Sequence, residues 1–176
     1  MHLNDSGRGQ VAALVQRLRD TTIDAVFSSP LERTRETADV IADARGLEVV
    51  IEPRLIEYDV GAWTGRTFAA MDPLPEWQRF NAVRSVSQPP RGELMVGVQQ
   101  RAVEALLDIH RTFPNATVAA VSHGDVIRAA LLFTLGMPLD FYDRVEVRPA
   151  SVSIIELGDA APRVLLVNGD SACGVL

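Results

Sequence analysis

Three short stretches of this chain set reactive side chains among turn residues. In Ser28-Ser29-Pro30-Leu31-Glu32-Arg33-Thr34-Arg35, Arg33 and Arg35 fall in or near the first turn of an expected helix, where positive charge opposes the helix dipole. Either a bound anion offsets that conflict, or Glu32 and Glu36 screen both arginines on a solvated face. In Arg54-Leu55-Ile56-Glu57-Tyr58-Asp59-Val60-Gly61-Ala62-Trp63-Thr64-Gly65, glycines, acids and aromatics crowd a loop that follows a strand, as binding loops do. Glu57 or Asp59 is placed there to act as a general acid; the alternative is an ordinary surface loop pinned by Trp63. In Val121-Ser122-His123-Gly124-Asp125, a histidine stands where an apolar strand gives way to a helix N-terminus, which attracts anions.

Other chemistries are excluded or weak. Besides His123, the chain has only His2 and His110, and its one cysteine is Cys173, so no metal-ligand cluster is expected. A single cysteine also forbids an internal disulfide and fits a reducing cytoplasm. All 17 basic residues are arginine, which removes lysine Schiff bases and the P-loop. Codon bias accounts for most of them, although arginine also suits bidentate binding of carboxylate or phosphate. Gly7-Arg8-Gly9-Gln10-Val11-Ala12 fits the G-x-G-x-x-A dinucleotide pattern, but no strand precedes it, so a dinucleotide-dependent oxidoreductase is a distant reading. Ser122 lies outside any G-x-S-x-G elbow, against an esterase.

The elements that must position these residues follow from periodicity. The 176 residues suit one domain, and 47% hydrophobic against 23% charged residues describes a globular chain. The net charge of −6 argues against nucleic-acid partners, and no apolar run is long enough for a membrane span. Helices are expected from Gly7 to Asp20, from Pro30 to Arg45, from Glu93 to Phe113 and from Asp125 to Leu135, with a short one around Trp77 and Phe80. Ser29 is the expected N-cap of the second helix, with Pro30 at its first position, Glu32 completing a capping box and Gly46 as its stop. Strands are expected over Ile23 to Phe27, Leu47 to Ile51, Thr117 to Val121, Ser151 to Leu157 and Arg163 to Val167, the third buried on both faces. The alternation gives an α/β fold, three-layer α/β/α, with a mostly parallel mixed sheet and an antiparallel pair at one side. Ligands of such sheets gather at the carboxyl ends of the strands, where all three segments fall.

Together the segments resemble the histidine phosphatase superfamily, the phosphoglycerate mutase-like family, from about Leu3 to Val167. Ser29 to Ala38 resembles its S-x-L-x-R-x-x-x-T-A segment, which implies that Arg33 binds the phosphoryl group. Leu55-Ile56-Glu57 with Gly61-Ala62-Trp63-Thr64-Gly65 resembles L-x-E…G-x-W-x-G, implying Glu57 as proton donor. Ser122-His123-Gly124 resembles the second histidine motif, so that His123, with Gly124, would contact the phosphoryl. One departure is Leu94, where the family often has serine after G-E. The other is large. The family's N-terminal strand and R-H-G motif, whose histidine becomes phosphorylated, have no counterpart here, and Leu3 to Gln10 instead resembles the L-T-x-x-G-x-x-Q segment downstream of it. A missing N-terminus is the preferred expectation, since Arg33, Glu57 and His123 are all in place; a shortened paralogue is the other.

The resemblance implies a cytoplasmic, metal-independent phosphatase with no cofactor, acting on a small phosphorylated metabolite through a phosphohistidine. The 176-residue form itself is expected to be inactive for want of its nucleophile. A homodimer is compatible with this reading. Only Arg66 to Gln88 separates the glutamate loop from the Pro-Pro segment, which favours phosphatase over phosphoglycerate mutase-type transfer. The contrasting class is a non-catalytic anion-binding or interaction module on a degenerate phosphatase domain.

Overall fold

The structure is a computed structural model and describes residues 1–169. Cys173 therefore lies outside the described residues. Three strands, β1 (Ala25–Ser28), β2 (Val49–Ile51) and β3 (Val118–Val121), form a parallel sheet in the order β2-β1-β3. Val26 pairs with Val49 on one side and with Ala119 on the other. Alternation along the strands sends side chains to two layers. Val26, Ala119 and Val121 pack with Leu14 and Leu18 around α1 (Asp5–Arg17) and with Ala38 and Ile41 of α2 (Glu32–Asp43). Ala25, Phe27, Val118 and Ala120 face Ala105 and Ile109 of α5 (Met95–Thr112). The result is the expected α/β arrangement of helices on both faces.

Two expectations about the sheet need correction. The strands are not one mixed sheet: β4 (Val152–Glu156) and β5 (Arg163–Gly169) form a separate antiparallel pair. Nor is β3 buried on both faces; each of its residues is half-buried, whereas every residue of β1 is buried. The two facts have one cause. Among the described residues, β1 is hydrogen-bonded to a strand on each side, but β3 is paired only with β1, and β4 only with β5. Val152 nevertheless joins the same apolar layer as Ala119 and Val121, so both sheets lie under α1 and α2 without pairing to each other. Arg17 fastens the second sheet to α1, donating Nη1 to the Gly169 carbonyl at 3.1 Å and Nη2 to that of Ala150.

Helix boundaries shift by a few residues, and one shift matters. The helix α2 begins at Glu32 with Leu31 as its N-cap and no capping side chain, so Ser29 and Pro30 stand before the helix. Ser29 does not cap because its hydroxyl is engaged elsewhere, as described below. Gly46 (φ +65) ends the turn after α2, as expected. Gly7 and Gly9 lie inside α1, so the dinucleotide pattern has no strand-to-helix turn to work with.

The segment between β2 and α5 folds over the top of the sheet. A short α3 (Phe68–Met71) and α4 (Pro75–Ala82) pack through aromatic rings onto the loop that carries Glu57. Trp63 meets Trp77 at 5.2 Å and Phe80 at 5.3 Å, while Tyr58 stacks on Phe80 at 6.0 Å. Gly61 takes φ +52, and a Cβ there would come within 2.4 Å of the Pro90 carbonyl oxygen. Only glycine fits this close approach, which lets Ala62 donate to Pro90 and Glu93 to Asp59. The helix α6 (Gly124–Thr134) starts directly after His123 and packs on α5.

Candidate functional site

Parallel pairing puts the carboxyl ends of β1, β2 and β3 at one edge of the sheet, and each end delivers one element of the site. β1 runs into Ser29, β2 runs through the turn Pro53–Leu55 to Glu57, and β3 runs into His123. Three bonds set the spacing. Ser29 N donates to the Val121 carbonyl at 2.9 Å, and Glu52 N donates to that of Ser28 at 2.8 Å. The Ser122 hydroxyl donates to the Leu55 carbonyl at 2.8 Å, tying the end of β3 to the glutamate loop.

Arg33, Glu57 and His123 converge. Arg33 Nη2 lies 2.9 Å from His123 Nδ1 and 3.9 Å from Glu57 Oε2, and Glu57 Oε2 is 3.8 Å from His123 Nδ1. His123 is buried, and its Nε2 lies 2.7 Å from the Ser29 hydroxyl oxygen, itself fully buried. A guanidinium can only donate, so Nδ1 accepts; the single ring proton then sits on Nε2 and points at Ser29. Burial and the positive charges of Arg33 and Arg101 hold the His123 pKa down to about 4. The opposite applies to Glu57. Burial, reinforced by the negative charge of Asp125, raises its pKa to about 7, against the pull of the Tyr58 amide, Arg33 and Arg101. At neutrality the edge of the sheet thus offers a neutral imidazole, a guanidinium and a half-protonated carboxyl.

The remaining candidates fall into place around this group. Gly124 is the first residue of α6, whose N-terminus has no side-chain cap. The nearest atom to a Cβ built at Gly124 is the Val147 oxygen at 3.9 Å. Asp59, the other sequence candidate for an acid, is exposed and accepts from Gly61 N at 2.8 Å; it closes a turn and does not join the triad. Arg35 lines a shallow cleft with Asp39, Asp43 and Glu48 on the outer side of α2. His2 lies against Glu36 and takes no part in the triad. Among the described residues, no three His, Cys, Asp or Glu side chains gather as metal ligands.

Sequence reasoning missed the supports. Arg101 of α5 grips Glu93 with Nε and Nη2 at 2.9 and 3.0 Å and donates to the Arg54 carbonyl at 2.5 Å. Arg54 in turn bonds Glu52 and Asp108. Asp125, ion-paired to Arg128 at 3.4 Å, is the charge that acts most on Glu57. Arg101 and Arg54 read in sequence as ordinary surface arginines, and only their burial against paired carboxylates would have singled them out.

A model of the histidine phosphatase superfamily (branch 1) matches residues 1–170. The chain belongs to this superfamily. Phosphoserine phosphatase 1 of Hydrogenobacter thermophilus is 34% identical over 172 residues, 94% of this chain and 80% of that protein. A probable phosphoglycerate mutase GpmB of Yersinia pestis is 33% identical over 177 residues, 97% of this chain and 82% of the other. Among solved structures, Bacillus stearothermophilus YhfR superposes with a TM-score of 0.90 at 30% identity, covering 97% of this chain and 86% of its own. The chain spans 46% of the bifunctional protein Rv2228c of Mycobacterium tuberculosis, with 38% identity over 169 residues. Of the proteins named here, one is a phosphoserine phosphatase and one a probable phosphoglycerate mutase. Among the described residues no helix is long and apolar enough to cross a membrane.

Proposed function

We propose that the chain is the phosphoryl-binding and proton-donating body of a phosphatase for small phosphomonoesters. One observation carries the reading: a carboxyl with its pKa raised to about 7 stands 3.9 Å from a guanidinium and 3.8 Å from a buried imidazole. A phosphomonoester needs these groups. Arg33, His123 and the amide of Gly124 at the start of α6 neutralise the equatorial oxygens of the transferring phosphoryl, the electrostatic work that dominates such reactions. Glu57 gives its proton to the leaving alkoxide as the ester bond breaks.

The attacking nitrogen belongs, on this reading, to a histidine on a segment that is not among the 176 residues. Such a segment, extended between β3 and β4, would pair with the strand edges that stand open there. Its histidine attacks phosphorus, the alkoxide leaves with the Glu57 proton, and water, losing a proton to Glu57, releases phosphate from the phosphohistidine. No step calls on a metal or an organic cofactor. The short Arg66 to Gln88 segment favours phosphatase over mutase, while the named relatives include one of each.

A second reading, an anion-binding module without catalysis, is favoured by the commitment of both His123 nitrogens to other side chains. Turnover of p-nitrophenyl phosphate separates the two. The 176-residue chain should bind phosphate or vanadate weakly and hydrolyse at background, while a form extended by a strand ending in Arg-His-Gly should turn over. An extended form that folds but stays at background overturns the phosphatase reading. Robust turnover by the short form, abolished by His123→Ala, makes His123 the nucleophile and the mechanism wrong.

A further inference from the structure

The least expected contact in the site is made by Ser29. Its sequence position, before Pro30 and three residues from Glu32, calls for a helix cap, yet α2 starts without one. The hydroxyl is spent on His123 Nε2 at 2.7 Å, with the Leu31 amide at a marginal 3.4 Å. A fully buried hydroxyl diverted from capping to an imidazole fixes which nitrogen faces the site. We propose that Ser29 is the positioning residue of His123: it holds Nε2–H so that Nδ1 faces the phosphoryl position, and an anion bound there brings a proton from solvent onto Nδ1. The second half rests on the anion-site reading above.

Arg33 occupies the Nδ1 lone pair at 2.9 Å. The groups facing the ring are Ser29 after β1, Arg33 from α2, Arg101 from α5 and Glu57 from the loop. Two of these are guanidinium cations, which keep the ring neutral, and the Glu57 carboxyl retains its own proton. An anion entering beside Arg33 takes the guanidinium as its partner and presents oxygen lone pairs to Nδ1. Two lone pairs repel, so Nδ1 must gain a proton to bond the anion. Ser29 can accept from Nε2–H in both states, so the ring need not turn.

The test uses sulfate, which stays a dianion throughout, with imidazole nitrogen NMR on the chain at about pH 6. Without sulfate the wild-type His123 ring should be neutral and protonated at Nε2. With saturating sulfate it should become imidazolium, and calorimetry in two buffers of different ionisation enthalpy should show uptake of about one proton. Ser29→Ala should leave the tautomer that Arg33 sets, weaken sulfate about tenfold, the loss of one hydrogen bond to the imidazolium, and reduce the proton uptake, and Ser29→Thr should restore both affinity and uptake. An Nδ1–H ring in the wild type, sulfate bound without proton uptake, or Ser29→Ala matching the wild type overturns the proposal. Should Ser29→Ala not fold, the wild-type tautomer and proton count still decide it. An Nε2–H ring in a chain that fails to bind sulfate supports the hold of Ser29 and strikes the anion-site reading instead.

Discussion

Glu57 Oε2 and His123 Nδ1 lie 3.8 Å apart, and the one proton available to the pair at mildly acidic pH sits on the carboxyl, not on the imidazole. In water the order is reversed, since an ordinary carboxyl loses its proton near 4.5 and an ordinary imidazole near 6.5. Folding therefore moves a proton from base to acid without changing the total. The cause is burial: a neutral pair costs less to desolvate than an ion pair.

That exchange predicts how stability responds to pH. Glu57, raised to about 7 from 4.5, makes the folded state bind the extra proton, so its contribution falls as pH rises through that window. His123, lowered to about 4 from 6.5, does the reverse, and its contribution rises with pH. In the wild type the two slopes oppose each other. Glu57→Gln should leave the histidine slope alone, so that stability climbs by on the order of 3 kcal/mol across the acid range. Urea unfolding at several pH values reads this directly; parallel profiles for variant and wild type would show the proton assignment to be wrong.

Arg33 contributes the charge and the donors that face the pair. Arg33→Ala should lower phosphate affinity about 100-fold, the worth of charge-assisted hydrogen bonds, while its removal lets the His123 pKa rise. Titration with phosphate followed by histidine NMR checks both effects. An unchanged affinity would remove Arg33 from the site.

Ser122 is a structural tie. Its hydroxyl serves the Leu55 carbonyl at the base of the glutamate loop. Ser122→Ala should cost about 1 kcal/mol and no more, with the fold retained. A change in the urea midpoint measures it; a neutral substitution would mean that water replaces the bond.

Two glycines offer a paired comparison. Both Gly61 and Gly136 have positive φ, but a Cβ at Gly61 meets the Pro90 oxygen at 2.4 Å, whereas nothing lies within 4 Å of one at Gly136. Gly136→Ala should cost about 1–2 kcal/mol from backbone strain alone. Gly61→Ala should cost at least about 3 kcal/mol, because the two loops must part. Equal costs would show that the loops are not rigidly locked.

Much of this was legible from residue patterns. The apolar run Ile23 to Phe27 and the helical period of Glu93 to Phe113 announce the layers, and Arg33, Glu57 and His123 follow strands, so their meeting at one edge follows from parallel pairing. Patterns failed where the answer lay in a distant partner. Ser29 carries every local sign of an N-cap, and only the imidazole 94 residues away diverts it. The apolar run of β3 suggests burial on both faces, but burial depends on a neighbouring strand that its own residues cannot specify. By residue type alone Asp59 and Glu57 are alike; the motif resemblance singles out Glu57, and the turn that Asp59 closes separates the two in the structure.

The edges of β3 and β4 that have no partner strand among the described residues also set the kinetic order of loss from solution. A strand edge carries a row of free amide donors and carbonyl acceptors that another chain can match. The Val118–Val121 edge bears no charge to discourage such a match, and the net charge of −6 is spread elsewhere. Pairing of this kind is bimolecular, while unfolding is unimolecular. Above some concentration the half-life of the folded chain should therefore shorten in proportion to its amount, and light scattering against dilution would register the change from first to second order.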